Sequence, residues 1–69
     1  MGKHENDTRK AVTDLEAYIA NKDRPPVSVF VRMLYLRYGF SKRKLNTILN
    51  DAYPDYEVNE ETDRLQKVQ

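Results

Sequence analysis

The 69-residue chain has no cysteine, no tryptophan, a single histidine and only two glycines, and each shortage closes off a class of chemistry. Without cysteine there is neither a disulfide framework nor a thiolate metal site to staple a small fold. Gly2 and Gly39 are too far apart to form a glycine-rich loop around a phosphate. His4 stands beside Glu5 and Asp7 in a polar stretch and gives no metal-ligand spacing, so neither metal nor cofactor is expected. Long apolar runs are missing as well. The longest is interrupted by Arg32 and Arg37 and falls short of the roughly 20 residues that cross a bilayer, and the N-terminus carries no apolar segment of signal-peptide length. The expectation is a cytoplasmic protein with no membrane partner.

Catalytic groups are equally scarce. Ser28 and Ser41 sit where turns or helix caps need them, with no base nearby in sequence, and the adjacent Glu60 and Glu61 point in different directions on either a helix or a strand. Paired acid and base groups must converge in a cleft, so an enzyme is not expected.

What the chain does contain is charge, unevenly placed. A third of the residues are charged and the net charge is only +1. Residues 8 to 50 nevertheless hold nine basic and three acidic side chains, while residues 51 to 69 hold two basic and six acidic ones. From Arg24 to Asn50 there is no Asp or Glu at all. A basic body with an acidic end suits an anion-binding face from which the acidic end is repelled.

The densest apolar and basic runs meet in Val27 to Ala52, which reads as helix, tight turn, helix. At about 100° per residue, Val27, Phe30, Val31, Leu34, Tyr35 and Tyr38 share one side of the first helix, and Val29, Met33 and Leu36 occupy much of the other. A helix apolar on both sides is normally covered on both, so the surplus at Val29, Met33, Leu36 and Tyr38 predicts a homodimer interface. Gly39 suits a left-handed C-cap and Ser41 the N-cap of the next helix. That helix, Ser41 to about Tyr53, sets Leu45, Ile48, Leu49 and Ala52 on one face and Lys42, Arg43, Asn46, Thr47 and Asn50 on the other.

The flanking segments are plainer. Residues 1–7 are expected to be a disordered tail. Asp7 or Thr8 can cap a first helix running to about Asn21, with Ala11, Val12, Leu15, Tyr18 and Ile19 as its apolar stripe. Pro25 and Pro26 break the chain before the second helix. A strand over Val27, Val29 and Val31 is the competing local reading, because β-branched residues favour strands. After Pro54, residues 56–69 read either as a hairpin, with Tyr56 to Val58 pairing Leu65 to Val68, or as an irregular or helical acidic tail. The expected fold is thus mostly α: a three-helix core over residues 8–21, 27–38 and 41–53, within a core unit of residues 8–58, and an acidic hairpin or tail over residues 59–69. At this size about 60% of the unfolded surface can be buried, so help from a dimer would matter.

The stretch PPVSVFVRMLYLRYGFSKRKLNTILNDAY resembles the helix-turn-helix superfamily, including small winged-helix regulators, over about residues 9 to 53. The resemblance implies a three-helix core that presents its third helix to the major groove of double-stranded DNA, with a C-terminal hairpin in the wing position. It implies Arg43, Asn46 and Asn50 at base edges, and Ser41, Lys42, Lys44, Thr47 and Arg37 at phosphates, in a small transcriptional regulator such as a repressor. GFSKRKLNTILNDAY is also similar to the last helix of ribbon-helix-helix repressors, with VSVFV as the candidate strand. A third reading, of a different class, is a protein-binding antirepressor or enzyme inhibitor that acts through the apolar central helix or the acidic C-terminal segment.

Overall fold

A computed structural model of the chain describes residues 3–68, and the side chains from Asn6 to Val68. Three helices are followed by one antiparallel hairpin: α1 Lys3–Ala20, α2 Val27–Tyr38, α3 Lys42–Ala52, β1 Tyr56–Asn59 and β2 Arg64–Lys67. Helix α1 begins at Lys3, not near Thr8, because nothing in Lys3 to Asp7 breaks a helix. Asp7 and Thr8 therefore lie inside it rather than capping it, and a tail over 1–7 is corrected to helix from Lys3 onward. The first two residues lie outside the described ones.

Helix α1 ends as its sequence allows. The Arg24 guanidinium donates to the Ile19 carbonyl at 2.7 Å, closing one of the acceptors left open at a helix C-terminus. The Tyr18 hydroxyl donates to the Pro25 carbonyl at 2.6 Å while its ring stacks on Phe30 at 4.3 Å. Burial of Tyr18 pushes its phenol above the usual tyrosine value.

Helix α2 is a helix from Val27 onward, so Val27, Val29 and Val31 form no strand and the ribbon-helix-helix reading loses the element it requires. It stops at Gly39, whose φ of 75° is the left-handed conformation that a side chain would strain, and whose N–H donates to the Tyr35 carbonyl. Two residues later the Ser41 hydroxyl accepts from the Lys44 N–H and starts α3.

The hairpin pairs Val58 with Leu65 and Asn59 with Arg64, so β2 starts and ends one residue earlier than the Leu65 to Val68 span expected from the sequence, and β1 extends to Asn59. Asn59 builds the turn, accepting from the N–H groups of Glu61 and Thr62 at 2.9 and 3.2 Å. The side-chain ladder Asn59, Gln66, Glu57 runs across the strands at 3.0 and 2.7 Å. A boundary at residue 58/59 therefore falls inside β1. Leu65 is buried with Leu15, Leu34, Leu45 and Val27 in the common core, so the acidic segment is part of the domain and not an appendage.

The N-terminus of α2 is closed by this hairpin. Pro26 offers no side-chain cap. Instead the Val27 N–H donates to the Asp63 carbonyl at 2.8 Å, and the Ser28 hydroxyl and N–H donate to the Asp63 carboxylate at 2.6 and 3.2 Å. Asp63 adopts a φ of 58°, which Asp and Asn tolerate better than most side chains. The Ser28 hydroxyl bond holds the Asp63 carboxyl below its ordinary 3.8. A depressed carboxylate stabilises the fold above the ordinary value, and that contribution fades as the pH falls through the lower folded-state value. Asp63→Asn keeps the backbone geometry and one acceptor but loses the charge. It is expected to lower Tm by a few degrees at neutral pH, with the gap to the wild type closing under acid. Circular dichroism melts across that range check it, and a gap that stays constant below the ordinary carboxylate value would refute the linkage.

Candidate nucleic-acid interface

Helix α3 buries Leu45, Ile48 and Leu49 against the core, which fixes which side chains face outward. Arg43, Asn46, Thr47 and Asn50 are all exposed. Arg43, Asn46 and Asn50 have no side-chain partner among the described residues, so their donors face water. The Thr47 hydroxyl turns back to donate to the Arg43 carbonyl at 3.2 Å.

The cations expected at phosphates divide into engaged and open ones. Lys42 is ion-paired with Glu60 of the hairpin turn. Arg37 is paired with Asp14 of α1 at 3.2 Å. Lys44 lies over the Phe40 ring, 5.3 Å from its centroid, which steadies the ammonium by cation–π attraction without neutralising it. The Ser41 hydroxyl serves as the α3 cap. Of the four basic side chains assigned to DNA, Arg37, Lys42, Arg43 and Lys44, only Arg43 and Lys44 thus remain without a carboxylate partner among the described residues.

Asn46 and Asn50 look onto a groove of about 230 Å³ between α3 and β1, whose other wall carries Glu57 and Glu60. Amide donors and acceptors therefore lie beside carboxylates. Glu57 is held by the Gln66 amide, and Glu60 is half of the Lys42 pair. Sequence reasoning placed the acids at the chain's end and missed that the hairpin folds them back beside α3. The signal was tertiary: Glu60 is 18 residues from Lys42.

A second basic cluster was also missed. Lys22, Arg24 and Arg64 line a hollow of about 410 Å³ with Asp23 and Leu65. The Arg64 guanidinium donates to the Arg24 carbonyl at 2.8 Å across 40 residues of sequence, a juxtaposition that no local pattern encodes.

Of the residues expected at a dimer face, Val29 and Leu36 are exposed at 52% and 74%, and Met33 is half-buried. Tyr38 is taken up within the protomer and leaves that set: its hydroxyl donates to Asp14 at 2.6 Å and its ring tilts against Phe40 at 5.4 Å. The Asp14 bond, which needs the phenol proton, raises Tyr38 above its usual value.

Among the described residues no group of His, Asp or Glu side chains is placed to hold a metal ion, and no helix is long and apolar enough to cross a membrane. No protein family, curated protein or solved structure is detectably similar to the chain.

Proposed function

We propose that the protein is a small sequence-selective double-stranded DNA-binding regulator that inserts α3 into the major groove. The observation that carries this reading is the outward face of α3. A left-handed glycine turn and a serine cap deliver a short helix whose exposed side chains from Arg43 to Asn50 are a guanidinium, two carboxamides and a hydroxyl, in a segment free of acidic residues from Arg24 to Asn50; the exposed Asp51 follows at the helix end. Guanidinium groups match guanine O6 and N7, carboxamides match adenine N6 and N7, and the groove admits one α-helix. Arg43, Asn46 and Asn50 are assigned to base edges. Lys44, with Thr47 and Ser41 beside it, is assigned to phosphates. Lys42 and Arg37 join them only if their carboxylate partners release them.

The reading is tested by an amide NMR titration of the labelled chain with a short mixed-sequence duplex at low and moderate salt. Shifts concentrated on Ser41 to Asn50 and weakened by salt are the expected result. An unchanged spectrum at both salt levels would overturn it. A second reading, capture of a protein partner through the hairpin, is favoured by the exposed Glu57 and Glu60 beside α3 and the exposed Glu61 in the hairpin turn. Reversing Glu60 and Glu61 to lysine separates the two, since it strengthens DNA binding and abolishes contact with a basic protein surface.

A further inference from the structure

We infer that Lys22, Arg24 and Arg64 form a binding site for a phosphate dianion, carried by a small phosphomonoester and held apart from the outward face of α3. The three cations come from two distant parts of the chain, the loop after α1 and the first residue of β2, and line one hollow of about 410 Å³. No side chain of α3 borders it, so the site does not require that α3 reads DNA.

The fold sets these side chains in place without a ligand. Asn21 turns the chain out of α1, its Oδ1 accepting from the Asp23 N–H at 2.9 Å, and Lys22 and Arg24 then border the same hollow. One Nη of Arg24 donates to the Ile19 carbonyl at 2.7 Å, and one Nη of Arg64 donates to the Arg24 carbonyl at 2.8 Å. Each guanidinium is thereby oriented by a neutral acceptor and keeps its charge and its remaining N–H donors. None of the three cations is ion-paired among the described residues, where the pairs are Lys42–Glu60 and Arg37–Asp14. Arg24 and Arg64 both act on the Tyr18 phenol, opposing the rise that burial gives it, so their charges lie around one point. Like charges gathered in this way repel, and an anion between them relieves the repulsion.

Charge and shape select the ligand. Asp23 is the only acid in the lining, and Asp63, next to Arg64, is engaged by Ser28 and lies outside it. Three positive charges against one negative leave +2. A phosphomonoester carries about −1.5 to −2 at neutral pH, whereas a carboxylate or a phosphodiester carries only one negative charge. The planar forks of two arginines match phosphate oxygens in pairs, and Lys22 adds a point charge at the exposed rim. Because Asp63 closes the N-terminus of α2 and Arg64 follows it, an anion bridging Arg64 to Lys22 and Arg24 also ties the hairpin to the helical core.

The labelled full chain is titrated with methyl phosphate and, separately, with dimethyl phosphate at constant ionic strength, followed by amide NMR. Saturable shifts at Lys22 to Arg24 and at Arg64 and Leu65 are expected with methyl phosphate, with binding of the diester weaker by about tenfold or more. At ten times the methyl phosphate Kd, Tm is expected to rise by about 5 °C or more. Lys22→Gln, at an exposed position without a polar partner among the described residues, and Arg64→Gln, checked by circular dichroism for the native fold, are each expected to weaken binding by about fivefold or more. Arg43→Ala on α3 is expected to leave it unchanged. Equal affinity for the two esters would overturn the dianion and assign the hollow to a phosphodiester. Absence of saturable shifts with both esters, shifts confined to α3, or unchanged affinity in both glutamine variants would overturn the site itself.

Discussion

Leu34→Ala is expected to remove most of the stability of the domain. Leu34 is 1% exposed and shares the buried core with residues of α1, α3 and the hairpin. Truncating a buried leucine costs about 2–5 kcal/mol, because the transfer energy is lost and the neighbours only partly refill the space. A chain of this size has about 3–10 kcal/mol in all, so the cost is a large share of the total. Tm is expected to fall by about 15 °C or more, on the scale of about 4–8 °C per kcal/mol for a domain this small. Tyr35→Ala, one position along the same helix at 62% exposure, is the control and is expected to change stability by less than about 0.5 kcal/mol. Urea and thermal melts followed by circular dichroism decide the matter. Similar losses for the two variants would mean that the inward and outward faces of α2 have been misassigned.

That contrast between neighbouring positions was not legible in the sequence, which set Tyr35 on the side of α2 that holds Leu34, whereas Tyr35 is 62% exposed. The corner from Val27 to Ala52 can be read from the sequence because its signals are local and agree. Two prolines forbid an earlier start, Gly39 alone can take the left-handed cap without strain, Ser41 supplies the next cap, and the spacing of Leu45, Ile48 and Leu49 fixes the inner face. The hairpin was only half legible. Its strands are four residues long, and Val58 and Leu65 are the only apolar pair that the register sets opposite one another. Alternation over so short a span barely separates strand from irregular chain. What decides it is the turn chemistry of Asn59 and the docking of Asp63 on α2, and the second of these spans 35 residues.

The same distance effect limits the reading of the interface. Which face of α3 points outward followed from periodicity, and Arg43, Asn46 and Asn50 stand exposed as expected. Which cations were free did not follow, because Lys42–Glu60 and Arg37–Asp14 join residues 18 and 23 positions apart. The helix-turn-helix resemblance implied four basic side chains at DNA, Arg37, Lys42, Arg43 and Lys44, whereas folding leaves two of them without a carboxylate partner among the described residues. Tyr38 was misjudged for the same reason. A half-apolar, half-polar side chain looks like surplus on a helical wheel until Asp14 is brought to its hydroxyl.

If α3 reads DNA, Arg43→Ala combined with Asn46→Ala is expected to weaken binding to a duplex selected from a random pool by about 10²–10⁴-fold, since each bidentate base pairing is worth about 1–3 kcal/mol of discrimination. Binding to unselected duplex should fall far less, because phosphate contacts supply it. The hairpin makes a second and opposite prediction. Lys42 is neutralised by Glu60, so Lys42→Ala alone should change affinity little, whereas Glu60→Gln releases the ammonium to the phosphate backbone. One added phosphate contact steepens the logarithmic salt dependence by about 1 unit, so Glu60→Gln should bind more tightly at low salt and converge on the wild type as salt rises. Combining it with Lys42→Ala should erase the gain, which ties the effect to that one ion pair rather than to net charge. Fluorescence anisotropy across a salt series measures all four proteins. A Glu60→Gln gain that survives loss of Lys42 would assign the effect to general repulsion by the acidic hairpin. Weakened duplex binding by Glu60→Gln would mean that the intact Lys42–Glu60 pair is needed for binding, and would overturn the release of Lys42.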